Sequence, residues 1–146
     1  MSSAVFVLHG GTLEARMFEN QSNGVANSLV YDIAIPVSCV LDLPPDAGPD
    51  SGNAFPRETE VRLDFIRIGL VDWRDLPGRA FVFPVNPAEG YVDGSVYFGH
   101  QHHYADLTRL HFGRLNGSTM TALATITFNF YKMSELPGLP ETLTVD

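Results

Sequence analysis

The strongest constraint on this chain is a period of two. In "TLEARMF" (12–18), Leu13, Ala15 and Met17 alternate with Glu14 and Arg16. In "RETEVRLDFIRIGLV" (57–71), Val61, Leu63 and Phe65 fall on one side. Successive side chains of a strand point to opposite faces, so such alternation marks half-buried strands. Gly, Pro, Asn and Asp punctuate the apolar blocks, and almost no stretch carries a helical period. Parallel strands need long crossovers, usually helices, and the absence of helical segments points to antiparallel pairing. The expectation is one all-β domain over residues 1–146, an antiparallel β-sandwich or jelly roll of roughly seven to nine strands.

Individual segments sharpen this. "AVFVLH" (4–9) reads as a buried strand. "LVYDIAIPVSCVLDL" (29–43) reads as one long strand or two; Pro36 cannot donate to a ladder, which requires an edge or a bulge there. "PPDAGPDSGNAFP" (44–56) holds four prolines and two glycines and reads as a long irregular loop. The Pro-rich tail "MSELPGLPETLTVD" reads as irregular. "NG" at 116–117 is a strong hairpin signal. A loop of Leu115, Asn116 and Gly117 would set Phe112 opposite Met120 and Leu110 opposite Ala122. It would leave Arg109 and His111 on the outer face with Thr121, Leu123, Thr125 and Thr127. A one-residue slip would exchange the faces, so burial selects this register.

Composition narrows the partners. The net charge is -8, and the nine basic residues form no cluster. Nucleic acids and anionic membranes are bound by neutralising phosphates with Lys and Arg, so neither is an expected partner. The single cysteine, Cys39, permits no intrachain disulfide and lies in an apolar run, as a small buried hydrophobe does. The start, "MSSAVFVLHGG", has no basic n-region and no apolar run long enough for a signal peptide or membrane span. A reducing cytoplasm is the expected setting.

"VFVLHGG" (5–11) has the strand-then-HGG order of a lipase oxyanion loop, but the chain contains no G-x-S-x-G elbow. A tight turn between strands is the simpler reading, with Gly10 and Gly11 supplying positive φ. Asp42, Asp46 and Asp50 are four apart and lack the D-x-D-x-D-G rhythm of a calcium loop.

Four of the five histidines fall between residues 100 and 111. Gly94, five residues, His100, one residue, His102, three residues, Asp106, six residues and Gly113 make a pattern that resembles the first motif of the cupins, with Asp for Glu. Cupins are double-sheet jelly rolls. The resemblance implies a divalent metal held by His100, His102 and Asp106, with a further histidine from a second motif. That second motif, G-x5-P-x-G-x2-H-x3-N, is absent, and no histidine follows His111. The alternative is an exposed His-rich loop or edge. No other cofactor is called for by any motif.

Trp73, Tyr91, Tyr97, His103 and Tyr104 are candidates for a binding surface, because Tyr and Trp bury area and still hydrogen-bond. No catalytic constellation is complete. The expected function is therefore non-enzymatic: a protein-binding or assembly module, soluble and self-associating. A cupin-like metal enzyme and a carbohydrate-binding sandwich are the alternatives.

Overall fold

The computed structural model describes residues 4–41, 58–69, 72–98, 101–130 and 142–145. It is nearly all β. Among the described residues nine strands form one antiparallel, curled sheet. They are β1 (Ala4–Leu8), β2 (Thr12–Asn20), β3 (Val25–Leu41), β4 (Glu58–Ile66), β5 (Ala80–Val82), β6 (Asp93–Phe98), β7 (Gln101–Asn116), β8 (Thr119–Asn129) and β9 (Thr142–Val145). The order is β1-β3-β4-β6-β7-β8-β9, with β2 on β3 and β5 on β7. Two short 3-10 turns, Gln21–Asn23 and Trp73–Asp75, complete it. The long Pro/Gly loop expected over 44–56 lies outside the described residues.

One face of the sheet carries the core. Val61 and Leu63 of β4, Val96 of β6, Ala105, Leu107, Leu110 and Phe112 of β7, and Ile126 and Phe128 of β8 are buried there. Tyr31, Ile33 and Val37 of β3 join them, and burial pushes the Tyr31 phenol up from its ordinary value. We call this the inner face.

β1 and β2 are collinear pieces of one edge strand. Both run antiparallel to β3, with Leu8 opposite Val37 and Thr12 opposite Ala34. The expected turn at Gly10–Gly11 is thus a break in an edge strand, and neither glycine is left-handed. Gly11 is needed for another reason: a Cβ there would sit 2.6 Å from the Ala34 carbonyl oxygen. The break accommodates Pro36. His9 N–H donates to the Pro36 carbonyl at 2.9 Å, and Pro36 has no N–H to return. A proline therefore sits inside an interior strand, opposite an irregular stretch of its neighbour.

Three departures from simple alternation have visible causes. Phe65, expected beside Val61 and Leu63, has φ 62 and leaves the inner face, and Ile66 takes the core position. The β7–β8 hairpin closes through Gly117 and Ser118, with Gly117 left-handed at φ 62 and Asn116 opposite Thr119. Register shifts then fall between Phe112 and Leu115 and between Leu107 and Arg109. Phe112 consequently faces Ala122, and Leu110 faces Ala124, each two places beyond the expected partner. The faces hold: Leu110 and Phe112 are buried, while Arg109 and His111 are exposed. Finally, the tail is not wholly irregular, since "TLTV" forms β9 beside β8.

Candidate functional site

Residues 101–106 of "HQHHYAD" lie in β7: Gln101 to Tyr104 pair with β6, and from Tyr104 onward the strand pairs with β8. Parity then sorts the side chains. His103, Ala105 and Leu107 face the core, and His102, Tyr104 and Asp106 face the other way. His103 is only 1% exposed, and its ring meets Phe130 edge-on at 5.7 Å. It therefore takes no part in an exposed surface, contrary to the expectation that grouped it with the tyrosines.

The expected metal set is only partly described. β7 begins at Gln101, and His100 lies outside the described residues. His102 and Asp106 are four residues apart along one strand, about 13 Å at the usual rise. Asp106 is already engaged: one carboxylate oxygen accepts from Asn86 N–H at 3.2 Å, the other from the Asn129 side-chain amide at 2.9 Å. Among the described residues no group of three or more His, Cys, Asp or Glu could hold a metal ion. Gly94, the first position of the pattern, has a packing role. It is buried on β6, and any Cβ there would run into the Ala105 carbonyl of β7.

His102 instead forms the middle of an aromatic strip. Tyr97 is its cross-strand partner, and Tyr104 is two residues on along the same face. The His102 ring lies 5.2 Å from Tyr97 and 5.6 Å from Tyr104, edge-on to both. Tyr97 is 56% and Tyr104 50% exposed. Polar groups flank the strip. Ser95 lies between Arg62 and Tyr104, and Asn129 lies beyond Tyr104. Arg62 bridges Glu60 and Asp64 at 3.4 Å each, and the Asp64 carboxylate foremost holds its guanidinium pKa above the ordinary value. Thr59 Oγ1 donates to the Tyr97 carbonyl at 2.7 Å, tying β4 to the end of β6. Trp73 and Tyr91 do not join the strip. Both lie between β4 and β6 in the chain, Trp73 before β5 and Tyr91 just ahead of the Asp93 end of β6.

A second feature escaped the sequence reading. A shallow hollow of about 530 Å³ is lined by His9, Pro36, Val37, Ser38, Glu58, Thr59 and Glu60. His9 Nε2 and Ser38 Oγ are 2.7 Å apart in it. A hydroxyl–imidazole contact becomes a nucleophile and base only when a third group orients the ring and donors await the oxyanion. Among the described residues no carboxylate bonds the other nitrogen of His9. The signal in the sequence was parity alone: Ser38 and Glu58 are direct cross-strand partners, as are Pro36 and Glu60.

A third cluster lies on the outer face near the sheet edge. Arg16 reaches across to Asp32 and stacks over Phe18 and Phe65, at 5.3 and 4.9 Å from their centroids. The hydrogen bond with Asp32 is the main reason its pKa is raised. This cluster is a fold device, since Asp32 also accepts Phe65 N–H at 2.9 Å and so holds the left-handed residue. No helix among the described residues is long and apolar enough to cross a membrane. Protein-family models, curated proteins and solved structures offer no match to this chain.

Proposed function

We propose that the chain is a non-enzymatic protein-binding and assembly module. The observation that carries this reading is the exposed Tyr97–His102–Tyr104 strip across the paired strands β6 and β7, with hydrogen-bonding groups at its margins. Aromatic rings with polar tips supply large contact area at low entropic cost, which is the make-up of interface centres. Two adjacent strands fix the rings, so little ordering is needed on contact. Trp73 and Tyr91, both exposed, add separate contact points outside the strip.

The curl lets the sheet enclose its own core in the manner of an antiparallel sandwich, which leaves the outer face to the partner. A cytoplasmic setting suits a chain with one cysteine. The metal-enzyme reading would have to rest on His100 and His102 with ligands other than Asp106, and elemental analysis of the untagged protein tests it.

The test of the main reading is capture of partners by wild type and by Tyr97→Ala/Tyr104→Ala, followed by titration of any purified partner. The double variant should fold normally and bind at least about tenfold more weakly, as loss of two interface aromatics does. Undiminished binding would refute the assignment of this face. A glycan array distinguishes the carbohydrate alternative, which uses the same rings.

A further inference from the structure

We infer that the Thr12–Asn20 edge strand is the self-association surface, pairing antiparallel with the same strand of a second copy about a two-fold axis through Ala15. The inference rests on the reading of the chain as a self-associating module, and adds the surface and the register.

Three observations lead to it. First, β2 ends the sheet, and among the described residues it pairs only with β3. An edge strand presents a row of backbone donors and acceptors that another strand can complete. Second, its inner-face residues are uncovered. Leu13, Ala15 and Met17 stand opposite Ile33, Tyr31 and Leu29, on the face that elsewhere forms the core. Yet Leu13 is 36% and Met17 59% exposed. Apolar side chains in core register that remain open to solvent are what an interface leaves in the isolated chain.

Third, the strand is self-complementary. Residues 13–17 read Leu-Glu-Ala-Arg-Met. Centred on Ala15, antiparallel pairing sets Glu14 opposite Arg16 of the copy, and the reverse. It sets Leu13 opposite Met17, again twice. Opposed residues in an antiparallel pair share a face, so the apolar residues of both copies meet on the inner face and the ions on the outer. The other registers are worse. A centre on Glu14 or Arg16 opposes like charges. A centre on Leu13 or Met17 leaves both charges unmatched. A centre between two residues would join the inner face of one copy to the outer face of the other. Arg16 can serve both partners: its guanidinium carries five N–H donors, and the bonds to Asp32 use Nε and Nη2.

Light scattering across a concentration series, with cysteine cross-linking of the full chain, tests this. Wild type should reach twice the chain mass. Glu14→Arg sets two arginines against each other at each charged pair, and should weaken dimerisation about tenfold or more, beyond any shift in the monomer melt that follows from its place opposite Asp32. Ala15→Cys sits on the axis and should form an intermolecular disulfide under mild oxidation, because opposed Cα atoms fall within disulfide reach. Thr12→Cys should not, since its copy lies about 20 Å away in this register. A dimer that survives Glu14→Arg and gives no cross-link through Ala15→Cys overturns this edge and leaves self-association standing. Equal cross-linking at positions 12 and 15 overturns the register. A strict monomer at every concentration overturns both the edge and the self-associating reading.

Discussion

Two buried carboxylates on the outer face solve the same problem differently. Asp32 and Asp106 are each 8% exposed. Each sits next to a register shift, on β3 and on β7. Each accepts one backbone N–H from a segment leaving regular strand geometry, Phe65 for Asp32 and Asn86 for Asp106. They differ in the second partner. Asp32 has a cation, Arg16, which is itself held over two phenyl rings. Asp106 has the neutral amide of Asn129. A backbone donor that falls outside the ladder must be satisfied, and a carboxylate can do it with or without a counter-charge. The charged version ties three strands together and depends more heavily on each member.

The largest expected effect follows from breaking the charged version. Asp32→Ala leaves Arg16 without its counter-ion and strips Phe65 N–H of its acceptor in a conformation a phenylalanine rarely adopts. Equilibrium urea unfolding should show a loss of about 3 kcal/mol. Asp106→Ala should cost about 2 kcal/mol, the scale for orphaning a partly buried donor where no charge is stranded. The pair of Asn substitutions sharpens the contrast. Asp106→Asn keeps an acceptor for Asn86 and should cost about 1 kcal/mol, while Asp32→Asn removes the ion pair and should cost more. Equal losses for the two Asn variants would mean that the Arg16 cation contributes nothing beyond a hydrogen bond.

The same pair explains what could be foreseen. Alternation identified the strands, because period two survives as long as pairing is regular. It also placed Arg109 and His111 outward. What alternation could not supply is where regularity stops. Each bulge shifts partners without leaving a residue-type signature, so the Phe112 partner was missed by two. Phe65 looked like a third core residue after Val61 and Leu63; only Asp32, 33 residues earlier, reveals why it turns away. The hydrogen-bond partners of Asp106, Asn86 and Asn129, are 20 and 23 residues distant and no local pattern points to them. The aromatic strip was half visible. Tyr97 and Tyr104 could be named, but setting His102 between them required knowing that β6 and β7 pair.

A third carboxylate extends the comparison to the exposed limit and carries the smallest prediction. Asp72 caps the Trp73–Asp75 turn, accepting Arg74 N–H at 2.9 Å. That backbone bond is the first cause of a pKa lowered from the ordinary 3.8, and the Arg74 side chain adds to it. A carboxylate whose pKa is lowered on folding stabilises the fold above its unfolded value, and that contribution fades as pH falls through the folded value. The difference in thermal midpoint between wild type and Asp72→Ala should therefore be small and constant from neutral pH down to about 5, and should vanish in strong acid. Carboxyl-resolved NMR titration provides the direct check, with Asp72 titrating below an unstructured aspartate. A midpoint difference that grew on acidification would mean the cap acts in its protonated form, and would separate this exposed group from the charge-based logic of Asp32.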